Sequence, residues 1–194
     1  PMTPEDRDRL LAVNSAMGSD ALRVLAFACR GFENLPDLDP EKVESDLVFA
    51  GLMGMIDPAR PEARDAIAVC RQAGIRVVMI TGDHRDTAVA IARDLALMPE
   101  DSEVLDGSDL DGMEDEALRQ RSESVRVYAR VSPEHKVRII EAIRANGHVA
   151  SMTGDGVNDA MALKRADIGV AMGITGTEVA KGTADMILTD DHFA

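Results

Sequence analysis

The sequence predicts an α/β protein: a parallel sheet with helices on both faces, preceded by a small α+β piece. Two observations predict it. From residue 57 onward, short runs rich in β-branched residues alternate with segments of helical period. Those runs are almost continuously apolar, as strands buried on both faces are. The 194 residues suffice to bury a core, which must be built from Val, Ile, Leu, Met and Ala because Trp is absent and Phe and Tyr are scarce.

The elements follow in order. Pro4 to Met17 has helical spacing with Leu10, Leu11, Val13 and Met17 on one side, closed by Gly18. Leu22–Cys29 and Asp46–Ile56 read as strands able to pair antiparallel, separated by the turn-rich stretch Gly31–Ser45. Helices are expected over Glu62–Ala73, stopping at Gly74, and over Asp86–Leu97; strands over Ile75–Ile80 and Val125–Val131. The polar stretch Pro99–Ser124 should hold one or two short helices. Ser132 then caps a helix with Pro133 in its first turn, running to about Ala145 and ending at Asn146 and Gly147. Strands at His148–Met152, Ile168–Ala171 and Met186–Thr189 complete the pattern, with a loop from Thr153 to Gly156 and a short helix through Leu163.

The net charge of −14 argues against nucleic acid or an anionic membrane as partner, since both require clustered cations. Cys29 and Cys70 fit no zinc or disulfide spacing and read as buried thiols in a reducing compartment. The longest apolar run, Leu47–Ile56, is about half of a membrane-crossing helix. No signal peptide opens the chain, and Pro1–Glu5 reads as an arbitrary start.

Three polar clusters directly follow expected strands: Thr81-Gly82-Asp83, Ser132 to Lys136, and Thr153-Gly-Asp-Gly-Val-Asn-Asp159. Parallel strands bring all three to one rim, where ligands bind at the switch point of such sheets. In the last cluster the glycines permit a tight turn and close backbone approach, Asp155 and Asp159 offer hard oxygens for Mg²⁺, and the following helix start offers amides to a phosphate. Lys136 would neutralise charge on a phosphoryl group, and Thr81 would donate its hydroxyl to a phosphate oxygen. Each residue has an ordinary alternative: a strand-end turn for Thr81, a solvated helix charge for Lys136, helix capping for the two aspartates.

Asp57-Pro58-Ala59-Arg60, Thr81-Gly82-Asp83 and Thr153–Asp159 with Ala160-Met-Ala-Leu-Lys164 behind it resemble the ordered signature segments of P-type cation-transporting ATPases. The resemblance runs from about Leu22 to Ala194, and Gly173–Lys181 and Asp190-Asp-His-Phe193 are most similar to calcium-pump-like members. It implies that residues 57–194 are most of a phosphorylation domain of haloacid-dehalogenase-like fold, and residues 1–56 the tail of a nucleotide-binding domain. It implies Mg²⁺ as cofactor and ATP as substrate. By the same resemblance Arg23 contacts ATP phosphates, and Asp57, Arg60, Thr81, Gly82 and Asp83 line the nucleotide and phosphate site. Asp155 ligates magnesium, Asn158 and Asp159 organise the phosphate site, and Lys136 faces the phosphoryl group. Met161 stands where the family usually has proline.

The family's nucleophile lies in an Asp-Lys-Thr-Gly-Thr segment, which this sequence does not contain. The resemblance therefore implies a piece of a larger pump, partnered in the same polypeptide by membrane helices and an actuator segment, a cytosolic domain of an integral membrane protein that is inactive alone. It also implies an empty slot in the sheet, filled either by Leu47–Ile56 or by a strand from a second copy in a swapped homodimer. The rival readings are a free-standing phosphatase using Asp109 or Asp111 of Asp109-Leu-Asp-Gly112, with the N-terminal strands as a cap, and a regulatory module that binds Mg²⁺ or nucleotide without chemistry. Against the first, that segment is expected to lack a preceding apolar strand. Gly154-Asp-Gly156 is not a dinucleotide fingerprint, having Asp159 where a third glycine belongs, and Gly176–Thr183 has the wrong order for a phosphate-binding loop.

Overall fold

A computed structural model describes residues 2–20, 22–32, 39–55, 59–99 and 101–193, excepting the side chain of Glu41. The chain divides into two compact units, Pro1–Pro58 and Ala59–Ala194.

In the first unit, helix α1 (Pro4–Ser19) begins at a capping box in which Thr3 and Asp6 exchange hydrogen bonds, with Pro4 in its first turn. Its apolar residues do not share one buried face as expected: Leu11 and Val13 are exposed, and only Leu10 and Met17 are half-buried. Strand β1 (Arg23–Cys29), one-turn helix α2 (Pro40–Val43) and strand β2 (Val48–Met55) follow. β1 and β2 pair antiparallel, Arg23 opposite Met55 through Cys29 opposite Val48, with an irregularity at Phe27/Ala28. Met17 and Leu22 pack so closely on Gly54 that a Cβ there would lie 2.7 Å from Met17 Cε and 2.9 Å from Leu22 Cδ1. Among the described residues Val48–Met55 pairs with β1 alone, in a two-stranded sheet of the first unit, so Leu47–Ile56 does not fill a slot in the other sheet as expected. Residue 56 and residues 33–38 of the turn-rich stretch lie outside the described residues. Cys29 is exposed and Cys70 half-buried; both are free thiols, not the buried pair expected.

The second unit carries α3 (Pro61–Gln72), β3 (Met79–Ile80), α4 (Arg85–Asp94), β4 (Glu103–Asp106), α5 (Gly107–Asp111), α6 (Asp115–Arg121) and β5 (Val125–Ala129). After these come α7 (Pro133–Ala145), β6 (Ser151–Gly154), a 3₁₀ turn (Val157–Asp159), α8 (Ala160–Arg165), β7 (Ile168–Met172), α9 (Glu178–Thr183) and β8 (Met186–Leu188). Gly74 and Gly147 end α3 and α7 in the left-handed region, at φ +74° and +84°, where a side chain would be strained.

All strand pairs here are parallel, in two three-stranded ladders ordered β3-β5-β4 and β6-β7-β8. Among the described residues, β3 pairs only with β5 and β6 only with β7. The ladder is thus interrupted between β3 and β6, the place where the chain order of the strands also reverses. Ile80 of β3 nevertheless packs against the cluster built on Met152, Ala162, Leu163 and Ala171, so the two half-sheets share a wall.

Alternation along β5 sorts the core of the first half. Val127 and Ala129 face Ile67 of α3 and Ala88 and Ala92 of α4, whereas Tyr128 faces Leu110 of α5, Leu118 of α6 and Ile139 of α7. In the second half Met152 and Ala171 pack on Ile140 of α7, Leu163 of α8 and Ala180 of α9, while Ser151 and Thr153 are exposed.

Several boundaries differ from expectation for identifiable reasons. β3 keeps only the last two of the six residues expected, because Val127 and Tyr128 are its only ladder partners. β6 starts at Ser151, not His148: the Ala150 N–H goes to the Asp167 carboxylate, and pairing with β7 begins at Ser151 opposite Ile168. β4, hidden inside a polar stretch, and α9, capped by Thr177, stand outside the elements the sequence predicts.

Leu163 is fully buried in the cluster that joins the half-sheets. Leu163→Ala is expected to cost about 2–5 kcal/mol in urea unfolding. Val149→Ala, at a side chain 79% exposed, should stay within about 0.5 kcal/mol of the parent.

Candidate active site

Three loops meet at the carboxyl ends of β3, β5 and β6. The first two are knitted by backbone bonds: Thr81 N–H to Tyr128 O at 2.9 Å, Arg130 N–H to Asp83 O at 3.0 Å and Val131 N–H to Thr81 O at 3.2 Å. Arg130 adopts a left-handed conformation, φ 49°, to make the turn into α7. There Ser132 caps the helix and Pro133 occupies the first turn, as its sequence dictates.

Lys136, one residue beyond that cap box, crosses to the third loop. Its Nζ donates to Asp159 Oδ1 at 2.6 Å, and both side chains are largely buried, 16% and 10% exposed. Asp159 Oδ2 accepts the Gly156 N–H at 3.1 Å. The side chain of Asp159 lies directly on Gly154, where a Cβ would come within 2.6 Å of its Cβ. Close approach is therefore what Gly154 provides, and neither Gly154 nor Gly156 adopts the left-handed region that a glycine-specific turn would need. The two aspartates expected to serve a metal are thus divided. Asp159 is spent on Lys136 and its own loop, whereas the exposed carboxylate of Asp155 takes no hydrogen bond among the described residues.

Between β3 and β6 lies a cleft of about 440 Å³ whose lining includes Arg60, Thr81, Gly82, Lys136, Asp155 and Asp159. Six of the residues singled out in the sequence therefore meet in one cavity. Thr81 turns its hydroxyl to Asp83 Oδ2 at 3.0 Å and accepts the Asp83 N–H at 3.1 Å, so Asp83 orients Thr81. Asn158 is exposed on the 3₁₀ turn. Arg23 opens β1 in the first unit with an exposed side chain, and Asp57 lies outside the described residues.

The structure adds Asp191 and Thr175, to which the sequence assigned no role. Asp191 is 4% exposed and accepts the N–H groups of Ile174 and Thr175, each at 2.8 Å, and the Thr175 hydroxyl at 2.7 Å. Arg60 donates to the Asp191 carbonyl at 2.6 Å. Asp191 thereby fixes the loop after β7 that forms one cleft wall. The bond from the Ile174 amide, with those from Thr175, holds its carboxyl down to about 2 against the opposing effect of burial.

Contrary to the expectation that no strand precedes Asp109 and Asp111, β4 leads straight into α5. Its carboxyl-terminal residue, Asp106, caps α5 by accepting the Ser108 and Asp109 N–H groups. Asp109 returns the bond to the Asp106 N–H at 2.9 Å, and Asp111 pairs with His135 at 2.9 Å. Neither lines the cleft.

A parallel sheet with its polar cluster at the strand-order reversal defines a class, and comparison with known proteins agrees: residues 23–167 match the model of the haloacid dehalogenase-like hydrolases, and the chain belongs to that family. Within it, the chain is 53% identical over 193 residues to calcium-transporting ATPase 1 of Bacillus cereus, covering all of this chain and 22% of that protein. The calcium-transporting ATPase of Bacillus subtilis is 53% identical over 183 residues, 94% of this chain and 21% of its own length. Calcium-transporting ATPase 1 of Lactococcus lactis is 50% identical over 192 residues, 98% of this chain and 22% of its own. The chain thus spans about a fifth of the length of these relatives.

A carboxyl held at about 2 in the fold and near 3.8 when unfolded stabilises above the higher value and loses that contribution as pH falls through the lower. The difference in unfolding free energy between the parent and Asp191→Asn should be constant above about pH 5 and shrink steadily toward pH 2. Urea unfolding across pH 2–6 measures it, and a pH-independent difference would contradict the role of Asp191.

Proposed function

We propose that this chain is the phosphate-handling part of an ATP-driven cation pump: residues 57–194 form the larger part of its phosphorylation domain and residues 1–56 the tail of its nucleotide-binding domain. The observation that carries this reading is the meeting of Thr81, the Lys136–Asp159 pair and the free Asp155 in one cleft at the sheet's switch point. Identity of about 50% to calcium-transporting ATPases supports it.

The reaction is transfer of the γ-phosphoryl group of ATP to an aspartate carboxylate. A carboxylate oxygen forms a bond to phosphorus as the bond to the bridging oxygen breaks, and ADP leaves with that electron pair. The aspartate belongs to an Asp-Lys-Thr-Gly-Thr segment outside these 194 residues. The interruption between β3 and β6, with Ile80 and Met152 on its walls, suits a parallel strand that would end at the cleft and deliver the nucleophile there.

Lys136, held at the cleft by Asp159, neutralises charge on the equatorial oxygens, and it is pre-positioned, so little reorganisation accompanies the transfer. Thr81, oriented by Asp83, and the Gly82 backbone bind the same oxygens, and Asn158 with Asp159 shapes the loop opposite. Arg23, Asp57 and Arg60 serve the nucleotide.

The donor set fits Mg²⁺. Among the described residues no cluster of three or more acidic, His or Cys side chains is available to a metal, and Mg²⁺ needs only one or two carboxylates when substrate phosphates and water complete its shell. Asp155 would hold it, and the ion would supply charge neutralisation on the transferring group.

In the whole protein, membrane helices and an actuator segment couple this chemistry to cation movement, and this chain is a cytosolic part. Among the described residues no helix is long and apolar enough to cross a membrane, and this chain spans only about a fifth of the length of its relatives.

Lys136→Ala in the full-length protein is expected to slow formation of the acid-stable phosphoenzyme from labelled ATP by about 10²–10³-fold; an unchanged rate would remove Lys136 from the reaction. The 194-residue chain alone is expected to turn over neither ATP nor p-nitrophenyl phosphate. Magnesium-dependent turnover abolished by Asp111→Asn would instead establish a free-standing phosphatase. Calorimetric Mg²⁺ binding should disappear in Asp155→Ala, and equal binding by that variant would reassign the metal.

A further inference from the structure

His135 occupies an unusual position at the start of α7. It is the third residue of the helix and the partner of Ser132 in a capping box: the Ser132 hydroxyl accepts the His135 N–H at 3.3 Å, and the Ser132 N–H donates to His135 Nδ1 at 3.2 Å. Capping boxes ordinarily use Glu or Gln at this position, whose side-chain oxygen is a permanent acceptor. An imidazole nitrogen accepts only while it carries no proton. The other ring nitrogen, Nε2, lies 2.9 Å from Asp111 Oδ1. Only one state satisfies both contacts: a neutral ring with its proton on Nε2, donated to Asp111.

His135 is 9% exposed and is held between the end of α5 and the turn leaving β5. Asp111 ends α5, on the β4 side. Ser132 leads out of β5. Gly107, the first residue of α5, lets them close: a Cβ there would overlap the Arg130 carbonyl and lie 3.6 Å from His135 Cε1. Lys136 follows immediately, with its N–H bonded to Ser132 O at 3.2 Å and its ammonium on Asp159. The ring therefore fixes the turn of helix from which Lys136 projects.

We propose that His135 is the positioning residue for Lys136, and that a second proton on its ring dismantles the cap box and lets Lys136 leave Asp159. Protonation at Nδ1 would set two donors against each other at Ser132, while the bond to Asp111 survives, so the ring would swing on Asp111 away from the helix. The charged groups beside it are Asp111 on α5 and Glu134 on α7. The functional weight of this device rests on Lys136 serving the phosphate, but its test reads no catalysis, so the two fail separately.

Long-range ¹H–¹⁵N spectra of the labelled 194-residue chain test it. At neutral pH His135 is expected to show the Nε2–H pattern. On acidification the Ser132 amide and the Lys136 ammonium signals should shift with the same midpoint as the His135 ring. In Asp111→Asn, a change at a side chain 74% exposed that leaves the cap box intact, the ring's midpoint and the Lys136 shift should stay together. His135→Gln, which restores a permanent acceptor, should keep Lys136 at its parent position and abolish the midpoint. An Nδ1–H ring at neutral pH, Lys136 signals indifferent to the ring's titration, or a midpoint and a Lys136 shift that separate in Asp111→Asn would each overturn the proposal.

Discussion

The contact between Lys136 and Asp159 is the one on which the rest of this domain's architecture turns. It crosses the place where the sheet has no strand, joining a helix that follows β5 to a loop that follows β6. Two charges so little exposed are unfavourable unless their remaining bonding capacity is used. Asp159 meets that demand with the Gly156 amide, and Gly154 gives up a side chain to admit it. The loop's glycines, its short 3₁₀ turn and the placement of α7 are all consequences of seating this pair. Removing either partner would leave a charge buried without its counterpart, a loss about as large as a core truncation.

α7 makes the arrangement mechanically sound. Ile139 and Ala142 belong to the core of the first half-sheet and Ile140 to that of the second. One helix therefore splints two ladders that share no hydrogen bonds among the described residues. Its ends are fastened independently, by Ser132 and His135 at the start and by Asn146 at the end, where that amide donates to the Arg119 carbonyl and the Ser122 hydroxyl.

Much of this was legible in the residues themselves. Ser132-Pro133 and the Asn146-Gly147 terminus located α7 to the residue, because capping chemistry is local. The apolar runs marked most strands, and the three polar clusters marked the rim. What escaped depended on partners distant in sequence. β4 is four residues long with acidic ends, so it has no periodicity to detect, and it becomes a strand only against β5. Asp191 looks like any surface acid until the loop at Ile174 and Thr175 folds onto it, 16 and 17 residues away. The division of labour between Asp155 and Asp159 follows from the reach of Lys136, which spacing along the chain does not encode.

The two open strand edges have a final consequence for selectivity. An unpaired edge is a template for any extended segment, and proteins commonly blunt the hazard by keeping such edges short. β3 presents two residues and β6 four. A foreign strand would find too little backbone on the β3 side to hold it in register. A strand suited to this gap must win its place through side chains meeting Ile80 and Met152, and through a terminus that satisfies the polar rim. Brevity at β3 makes the gap discriminating, where a longer edge would make it adhesive.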